Sequence, residues 1–191
     1  MKHVSIAIRG FIFWTVVTAG VYPLLMTGIG ALFFPQKAHG SLVLRDGKVI
    51  GSTLLAQDFQ GDAWFHPRPS AAKYDPTSSG ASNEGYTNAD LKKNYEQRKA
   101  DWQKANGNTI PPMDMLFASG SGLDPHISPP AAELQVPRVA AARHLTGDKT
   151  GQLLALVKRY EEAPQLGFLG EPRVNVLRLN LALDEAFPMQ K

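Results

Sequence analysis

Residues 10–34 form an apolar run without one ionisable side chain, and Arg9 and Lys37 flank it. As a helix this run would extend over about 37 Å, more than the roughly 30 Å hydrocarbon core of a bilayer. A lone membrane span has to be helical, because its backbone polar groups find no partners in lipid. The pattern therefore predicts a transmembrane helix over residues 10–34, preceded by a short tail over residues 1–9, and the flanking charges do not settle on which side of the membrane the tail lies.

Small residues and one proline punctuate this span. Pro23, near its middle, removes one helical hydrogen bond and predicts a kink. Small side chains recur at intervals that favour close packing of a second membrane helix, and the predicted contact residues are Thr15, Ala19, Thr27 and Ala31. The run is longer than the apolar part of a signal peptide, which favours an uncleaved anchor. The alternative is a secreted binding protein, released by cleavage after Gly40.

After the span, residues 35–191 alternate between short strand-like and helical patterns and predict one mixed α/β domain, for an overall α+β class. Residues 41–44 and 48–50 flank Arg45-Asp46-Gly47 and predict a β-hairpin. Residues 60–88 are rich in Gly, Pro, Ser and Asn and predict a long ordered loop. Residues 115–118 and 173–179 have the apolar content or alternation typical of buried strands.

Four helices are predicted in this domain from their capping residues and periodicity. Thr87 or Asn88 caps a polar helix that extends to about Asn106. Ser128 caps a helix that begins with two prolines and is broken or kinked at Pro137. The other two are a helix from an Asp148 cap to about Glu162 and a terminal helix from Asn180.

Charge and cysteine content narrow the possible functions. The sequence has no Cys, which excludes disulfides, Cys-ligated metals and a Cys nucleophile. The net charge is +3, yet residues beyond the span contain 17 acids and 18 bases and are close to neutral. Without a clustered basic face or a known module, no nucleic-acid partner is expected.

Two short motifs resemble catalytic ones. Ser70 and Lys73 match S-x-x-K, and with Lys149-Thr150-Gly151 they imitate a penicillin-recognising serine hydrolase anchored in the membrane. Pro69 precedes the candidate nucleophile where a helix should begin, so this enzyme is the alternative rather than the preferred interpretation. Asp148-Lys149-Thr150-Gly151 also spells the phosphorylation tetrapeptide of P-type ATPases, and here we interpret it as a helix start.

Four longer blocks carry a family resemblance. They are residues 64–71, 79–83, 118–129 and 170–177, and the third contains the specific string SGSGLDPHISP. In this order the blocks resemble the KdpC family, the C subunits of Kdp-type potassium-transporting ATPases. The resemblance extends over nearly the whole chain, including its single span. Ala56 and Ala81 stand where the family pattern leads us to expect Gly.

The resemblance implies a non-catalytic accessory subunit in the bacterial inner membrane, with residues 1–9 as a short cytoplasmic tail and the domain on the periplasmic, extracytoplasmic side. Its expected partners are membrane lipid, a channel-like potassium-binding subunit and a P-type ATPase catalytic subunit. It is expected to stabilise the assembly and to raise the ATP affinity of the catalytic subunit, so that ATP is a cofactor through the complex, and direct contact with this chain is doubtful. No catalytic or metal residue is expected.

The resemblance also suggests which side chains have subunit-contact or structural roles. These are Gln57, Arg68, Ser70, Asn83, Asn88, Ser119, Ser121, Asp124, His126, Gln135, Arg138, Arg143, Arg173 and Asn175. A separate hypothesis is that carboxylates such as Asp114 and Asp124 enrich cations at a potassium entrance.

Overall fold

The structure is a computed structural model and describes residues 2–189. Met1 of the predicted tail and residues 190 and 191 of the predicted domain lie outside the described residues. The backbone divides into two compact units, Met1–Val49 and Ile50–Lys191. Each unit is described by itself below.

The first unit is built on a helix over Lys2–Phe33, long and apolar enough to cross a membrane. It therefore begins inside the predicted tail. Its elements are α1 (Lys2–Thr15), a π-helical turn (Val16–Val21), α2 (Tyr22–Phe33), α3 (Pro35–Ala38) and the strand β1 (Leu42–Arg45).

The π-helical turn lies directly before Pro23. Tyr22 N–H donates to Val17 O, five residues back, and Pro23 has no N–H to offer Ala19 O. A widened turn of this kind is one way in which a helix accommodates the missing donor of a proline. The kink at Pro23 stays a prediction. So does the packing of a second membrane helix against Thr15, Ala19, Thr27 and Ala31.

In the second unit, short strands are joined by helices and long loops. The boundary between the units falls inside the strand β2 (Lys48–Ser52), which with β1 forms the predicted hairpin. The elements that follow are α4 (Ala89–Asn106), α5 (Met113–Leu116), β3 (His126–Ile127), α6 (Pro129–Ala142), α7 (Asp148–Arg159), β4 (Glu161–Glu162), β5 (Arg173–Asn175) and α8 (Val176–Ala186). The mixed α/β class is confirmed.

A small antiparallel sheet of order β3-β5-β4 lies against α6 and α8. Its register pairs Ile127 with Val174 and Glu162 with Arg173. Helix α6 packs on α7, α4 and β5, and α8 packs on α7 and β5. The apolar side chains of these elements form one core, which includes Phe65, Trp102, Ile127, Val139, Leu153, Val157, Val174, Leu179 and Leu183.

The prediction of a strand over residues 115–118 is wrong. Met113–Leu116 is a single helical turn that begins after Pro112, and Phe117 is extended. Met115 and Leu116 are buried. A four-residue apolar run cannot distinguish a strand from a buried helical turn by periodicity alone.

Of the predicted break or kink at Pro137, the break is wrong, because α6 is one continuous helix with this proline inside it, and the kink stays a prediction. Its cap is as predicted, since Ser128 Oγ accepts a hydrogen bond from Ala131 N–H. The loss of one backbone hydrogen bond at Pro137 is offset by burial of neighbouring side chains such as Val136 and Val139.

The C-terminal elements differ from the prediction in their boundaries. The strand ends at Asn175, whose Oδ1 accepts from Arg178 N–H and so begins α8 at Val176 instead of Asn180. Helix α7 ends at Arg159, and Glu161 and Glu162 are in a strand. Gly147 is its N-cap residue, while Asp148 is the first helical residue and makes no cap.

Candidate functional site

A loop of residues 119–126, here called the central loop, connects four other segments by backbone hydrogen bonds. The bonds join Ser119 N to Pro69 O, Gly80 N to Ser121 O, Ala56 N to Leu123 O and Val176 N to Pro125 O. A loop lacks the regular backbone hydrogen bonds of a helix or sheet. Bonds of this kind therefore satisfy its buried N–H and C=O groups. The SGSGLDPH string therefore forms a structural junction.

Side chains of the central loop reinforce its turns. Ser121 Oγ accepts from Leu123 N–H at 3.1 Å, and Asp124 Oδ1 accepts from His126 N–H at 3.0 Å. Ser119 is buried. Ser and Asp favour these positions because a short side chain can accept from the backbone two residues ahead.

Asp124 and Arg68 form the most direct ion pair of the site. Arg68 Nη1 lies 3.0 Å from Asp124 Oδ2, and both side chains are about three-quarters buried. Burial by itself would raise the pKa of Asp124, but hydrogen bonds from His126 and the Arg68 guanidinium outweigh it, so the pKa is lowered. The carboxylate is thus ionised and already compensated by Arg68. This pairing weakens the hypothesis that Asp124 concentrates cations.

The lowered pKa of Asp124 predicts an acid-dependent contribution to stability. The group contributes stability that is present above its unfolded pKa, near 3.8, and is lost as pH falls through the lower folded pKa. We expect the unfolding free energy of Asp124→Asn to depend less steeply on pH below about pH 4 than that of the unchanged chain. Urea unfolding in detergent at several acidic pH values measures this. Equal slopes would contradict the assigned pairing.

His126 brings the central loop next to the small sheet. Its Nδ1 lies 3.6 Å from Asp124 Oδ1, and its Nε2 lies 3.4 Å from Asn175 Nδ2 and 3.9 Å from Glu162 Oε2. Glu162 Oε2 accepts from Arg173 Nε at 3.0 Å. Five predicted site residues therefore meet in one place, namely Arg68, Asp124, His126, Arg173 and Asn175.

Four of the five line a polar cleft of about 380 Å³, whose walls include Arg68, Asp114, Asp124, His126, Ser128, Glu171 and Arg173. Asp114 accepts hydrogen bonds from Ser128 N–H at 2.7 Å and Ser128 Oγ at 3.1 Å. Its carboxylate is thereby engaged in holding the start of α6, so it too is not a free charge. Within residues 2–189, no three His, Asp or Glu side chains are placed to hold a metal ion.

A second cluster, here called the helix anchor, consists of Gln135, Arg138, Asn106 and His66. It holds the start of the long loop (residues 60–88) against α6. Arg138 Nη2 donates to Gln135 Oε1 at 2.7 Å, and its Nη1 donates to Asp62 O at 2.9 Å. Arg138 Nε donates to Asn106 Oδ1 at 3.0 Å. Gln135 Oε1 also accepts from His66 N–H at 2.8 Å. Gln135 and Arg138 therefore act as positioning groups for residues 61–66.

His66 belongs to this cluster and has a structural role. Burial, followed by the nearby Arg138 guanidinium, lowers the pKa of His66, which favours the neutral ring. Its Nε2 lies 2.9 Å from Gly61 O.

Arg143, at the end of α6, and Asn180, inside α8, hold the same loop. Arg143 Nε donates to Ala63 O at 2.9 Å, and its guanidinium lies 4.6 Å above the Trp64 ring. Asn180 Nδ2 donates to Phe65 O and its Oδ1 accepts from Phe65 N–H, both at 2.9 Å. This side chain pairs with Phe65 as a neighbouring strand would.

The other predicted site residues are dispersed. Gln57 Nε2 donates to Ile50 O at 2.9 Å. Asn88 Oδ1 accepts from Asp90 N–H and caps α4, as predicted. Asn83 is exposed, with a left-handed φ of 53° that asparagine tolerates.

Ser70 is engaged in loop structure. Its Oγ donates to Gly122 O and accepts from Tyr74 N–H at 3.0 Å. Lys73 and Tyr74 both have positive φ, so this segment is not the helix that S-x-x-K chemistry requires. The serine-hydrolase alternative is not supported.

Sequence reasoning missed several residues of these clusters, chiefly Asn180, Glu162, Asn106 and Asp62. The sequence did contain a signal for Asn180. It lies between two leucines at the start of the predicted terminal helix, and a polar side chain buried there needs a hydrogen-bond partner. Asp62 lies in a loop and Glu162 in a short strand, and the sequence around each gives no signal. Only the tertiary structure shows what they contact.

Comparison with known proteins decides the family. The family model described as "K+-transporting ATPase, c chain" matches residues 4–185. The chain belongs to the KdpC family. Relatives named potassium-transporting ATPase KdpC subunit include one from Methylococcus capsulatus, 48% identical over 96% of this chain and 98% of the relative. A relative from Geobacter sulfurreducens is 46% identical over 98% of this chain and 100% of its own length.

Family membership makes this chain a subunit of a potassium-transporting ATPase complex, as the resemblance implied. A third KdpC relative, from Rhodospirillum rubrum, is 50% identical over 92% of this chain and 91% of its own. Matches of this extent include the apolar helix at the N-terminus. That helix is consistent with a single-pass membrane subunit.

Proposed function

We propose that this KdpC chain is a non-catalytic accessory subunit of an ATP-driven, high-affinity potassium uptake complex. The observation that supports this is the use of its motif side chains. Gln135, Arg138 and Arg143 are buried and donate or accept within the fold, mostly to backbone groups of the long loop. Because these side chains are hydrogen-bonded within the chain, they hold the long loop as a rigid scaffold for contact with partners.

We further propose that the domain lies on the extracytoplasmic side of the bacterial inner membrane. The partners in this proposal are a channel-like potassium-binding subunit and a P-type ATPase catalytic subunit. In this arrangement the domain stabilises the assembly and raises the ATP affinity of the catalytic subunit. Because such a domain cannot touch cytoplasmic ATP, the effect is a coupling free energy transmitted through the partners.

Thiol labelling tests the orientation, since the natural sequence has no Cys. Lys92→Cys places an exposed thiol on α4, and Ser5→Cys places one before the apolar run. In intact spheroplasts, a membrane-impermeant maleimide is expected to label the chain at position 92 and not at position 5. Labelling at position 5 alone would contradict the proposed orientation.

The ATP effect is tested on the assembled transporter. ATPase rates are measured against ATP concentration for the catalytic subunit with its channel-like partner, before and after this chain is added back. We expect addition to lower the KM for ATP by roughly fivefold or more, the lower end of typical coupling between sites. A KM unchanged by a chain that has bound to the complex would remove ATP coupling from the proposal.

A further inference from the structure

The hairpin of β1 and β2 has one face whose apolar side chains are exposed. Its two-residue turn has φ values of 53° at Asp46 and 75° at Gly47, both positive as a type I′ turn requires. Such a turn places Leu44 opposite Val49, and Leu42 lies on the same face two positions earlier in β1. Leu42 is 44% exposed, Leu44 is 63% exposed and Val49 is 56% exposed. These three side chains, here called the hairpin face, all belong to the first unit.

A hydrogen-bonded turn holds the start of the hairpin next to the end of the apolar helix. Only residues 34–41 lie between α2 and β1. Gly40 N–H donates to Lys37 O at 3.0 Å, and Ser41 N–H donates to Gln36 O at 2.9 Å. The strand β1 begins at the next residue. The connection is therefore a tight turn of fixed geometry and not a loose linker.

The residues of this connection are typical of a membrane boundary. Phe34 is exposed, and Lys37 Nζ lies 6.0 Å from the centroid of the Phe34 ring. Aromatic and basic side chains are common where a membrane helix leaves the hydrocarbon, because the ring tolerates lipid and the ammonium group reaches the headgroups. Since Ser41 N–H is bonded to Gln36 O, the hairpin begins close to this boundary, where the headgroup layer is roughly 5–8 Å thick.

The charges of the segment match an anionic lipid surface. Residues 34–49 contain three basic side chains, Lys37, Arg45 and Lys48, and one acidic side chain, Asp46, which gives a net charge of +2. Basic side chains beside a membrane span are attracted to anionic headgroups. Lysine and arginine can also place their charge among the headgroups while their stems lie along apolar surface. The segment therefore combines an apolar face with an excess of positive charge at the end of the helix.

We propose that the hairpin face rests on the surface of an anionic bilayer, beside the point where the helix of this chain leaves it. Leu42, Leu44 and Val49 enter the boundary between headgroups and acyl chains, and Lys37 and Lys48 contact lipid phosphates. The proposal rests on the membrane-anchored subunit proposed above. Contact with lipid removes the apolar face from water, and the helix keeps the hairpin at a high effective concentration near the bilayer. The contact fixes the depth of the hairpin, which a lone helix leaves free to vary as it tilts.

Spin-label accessibility tests this contact, since the natural sequence has no Cys. A nitroxide is attached at Leu44→Cys and, in the control, at Ile110→Cys, whose native side chain is 88% exposed in another loop. Each full chain is reconstituted, alone and with its fellow subunits, in nanodiscs of mixed phosphatidylcholine and phosphatidylglycerol. Oxygen dissolves in lipid, whereas a polar nickel complex is excluded from it. In both preparations we expect the ratio of oxygen to nickel collision rates to be at least about fivefold higher at position 44 than at position 110.

Lipid composition and polar substitutions give two further readouts. In nanodiscs of phosphatidylcholine alone, the ratio at position 44 is expected to fall by about twofold or more. In a chain labelled at Val49→Cys, Leu42→Gln and Leu44→Gln together are expected to lower the ratio by about threefold or more. Ile110→Gln is the matched control and is expected to leave that ratio unchanged. Thermal unfolding midpoints equal to that of the unlabelled chain show that the fold is intact.

Each other outcome overturns the contact or its chemistry. Free collision with the nickel complex at position 44 would place the face in water. Shielding from both reagents would place it against protein, either a fellow subunit or a second copy of this chain. A ratio unchanged in neutral lipid would remove the anionic headgroups from the proposal. In all three cases the accessory-subunit function stands if the chain still co-purifies with its partners. If co-purification fails while the ratio at position 44 stays high, that function fails and the bilayer contact stands.

Discussion

Replacing Arg138 with methionine is expected to lower the unfolding free energy by about 3 kcal/mol, the scale measured when one partner of a buried charged network is removed. The substitution keeps an unbranched side chain of similar length but removes every donor. Asp62 O and Asn106 Oδ1 then lose hydrogen bonds of 2.9 and 3.0 Å inside the fold. Both bonds are partly buried, and a hydrogen bond from a charged donor is worth roughly 1.5–3 kcal/mol.

The measurement is thermal and urea unfolding of the full chain in mild detergent. A loss of this size corresponds to a decrease of roughly 6–12 °C in Tm for a domain of this length. Arg178→Met is the matched control. That side chain is 54% exposed and makes an ion pair with Glu162 at 3.4 Å, so its loss is expected to cost below about 1 kcal/mol. Equal effects of the two substitutions would contradict the anchoring role of Arg138.

The second large effect is expected for Gly122→Ala in the central loop. Gly122 has a φ of 68°, and a Cβ there would lie 2.8 Å from Ala72 Cβ and 2.9 Å from Gly80 O. The left-handed backbone costs roughly 1–2 kcal/mol for alanine, and the overlap adds a typical overpacking penalty of roughly 1–3 kcal/mol. We expect a loss of several kcal/mol and displacement of the segments that the central loop connects.

Gly120→Ala is the control for this substitution, because it lies in the same loop with open space around its Cβ position. Its Tm is expected to change by no more than about 2 °C. Both variants are also scored for recovery with the transporter subunits. If Gly122→Ala is as stable and as well recovered as Gly120→Ala, the close packing of the central loop on residues 72 and 80 is wrong.

These two substitutions affect two different attachment points of the long loop. Arg138 fixes the start of the long loop from the helix side, and Gly122 allows the central loop to approach the middle of the long loop. Both residues make their contacts within the fold, so the expected effects of their substitution are on stability and assembly.

Local signals in the sequence were sufficient for several elements. The caps at Asn88 and Ser128 were predicted because their side chains accept from backbone N–H groups within a few residues. The hairpin of β1 and β2 was predicted because alternation and a Gly-containing turn are also local. The apolar helix needed only its length and its lack of charge.

Two predictions about where helices begin and end were less successful. Pro137 does not end α6, since burial of its neighbours offsets the lost hydrogen bond. Residues 173–179 alternate like a strand but become helical at Val176, where the Asn175 side chain caps the next turn. In both places a tertiary or capping interaction outweighs the local preference.

The candidate residues themselves came from a family resemblance, and the sequence could not say which of them meet. By itself it determined an anchor-like apolar helix, a mixed α/β domain, several caps and the KdpC family. Only the tertiary structure placed Arg68 beside Asp124 and paired Arg138 with Asp62 O and Asn180 with Phe65. The physical reason is that caps and periodicity act within a few residues, whereas these pairs join residues 56 to 115 positions apart and form only after the core has packed.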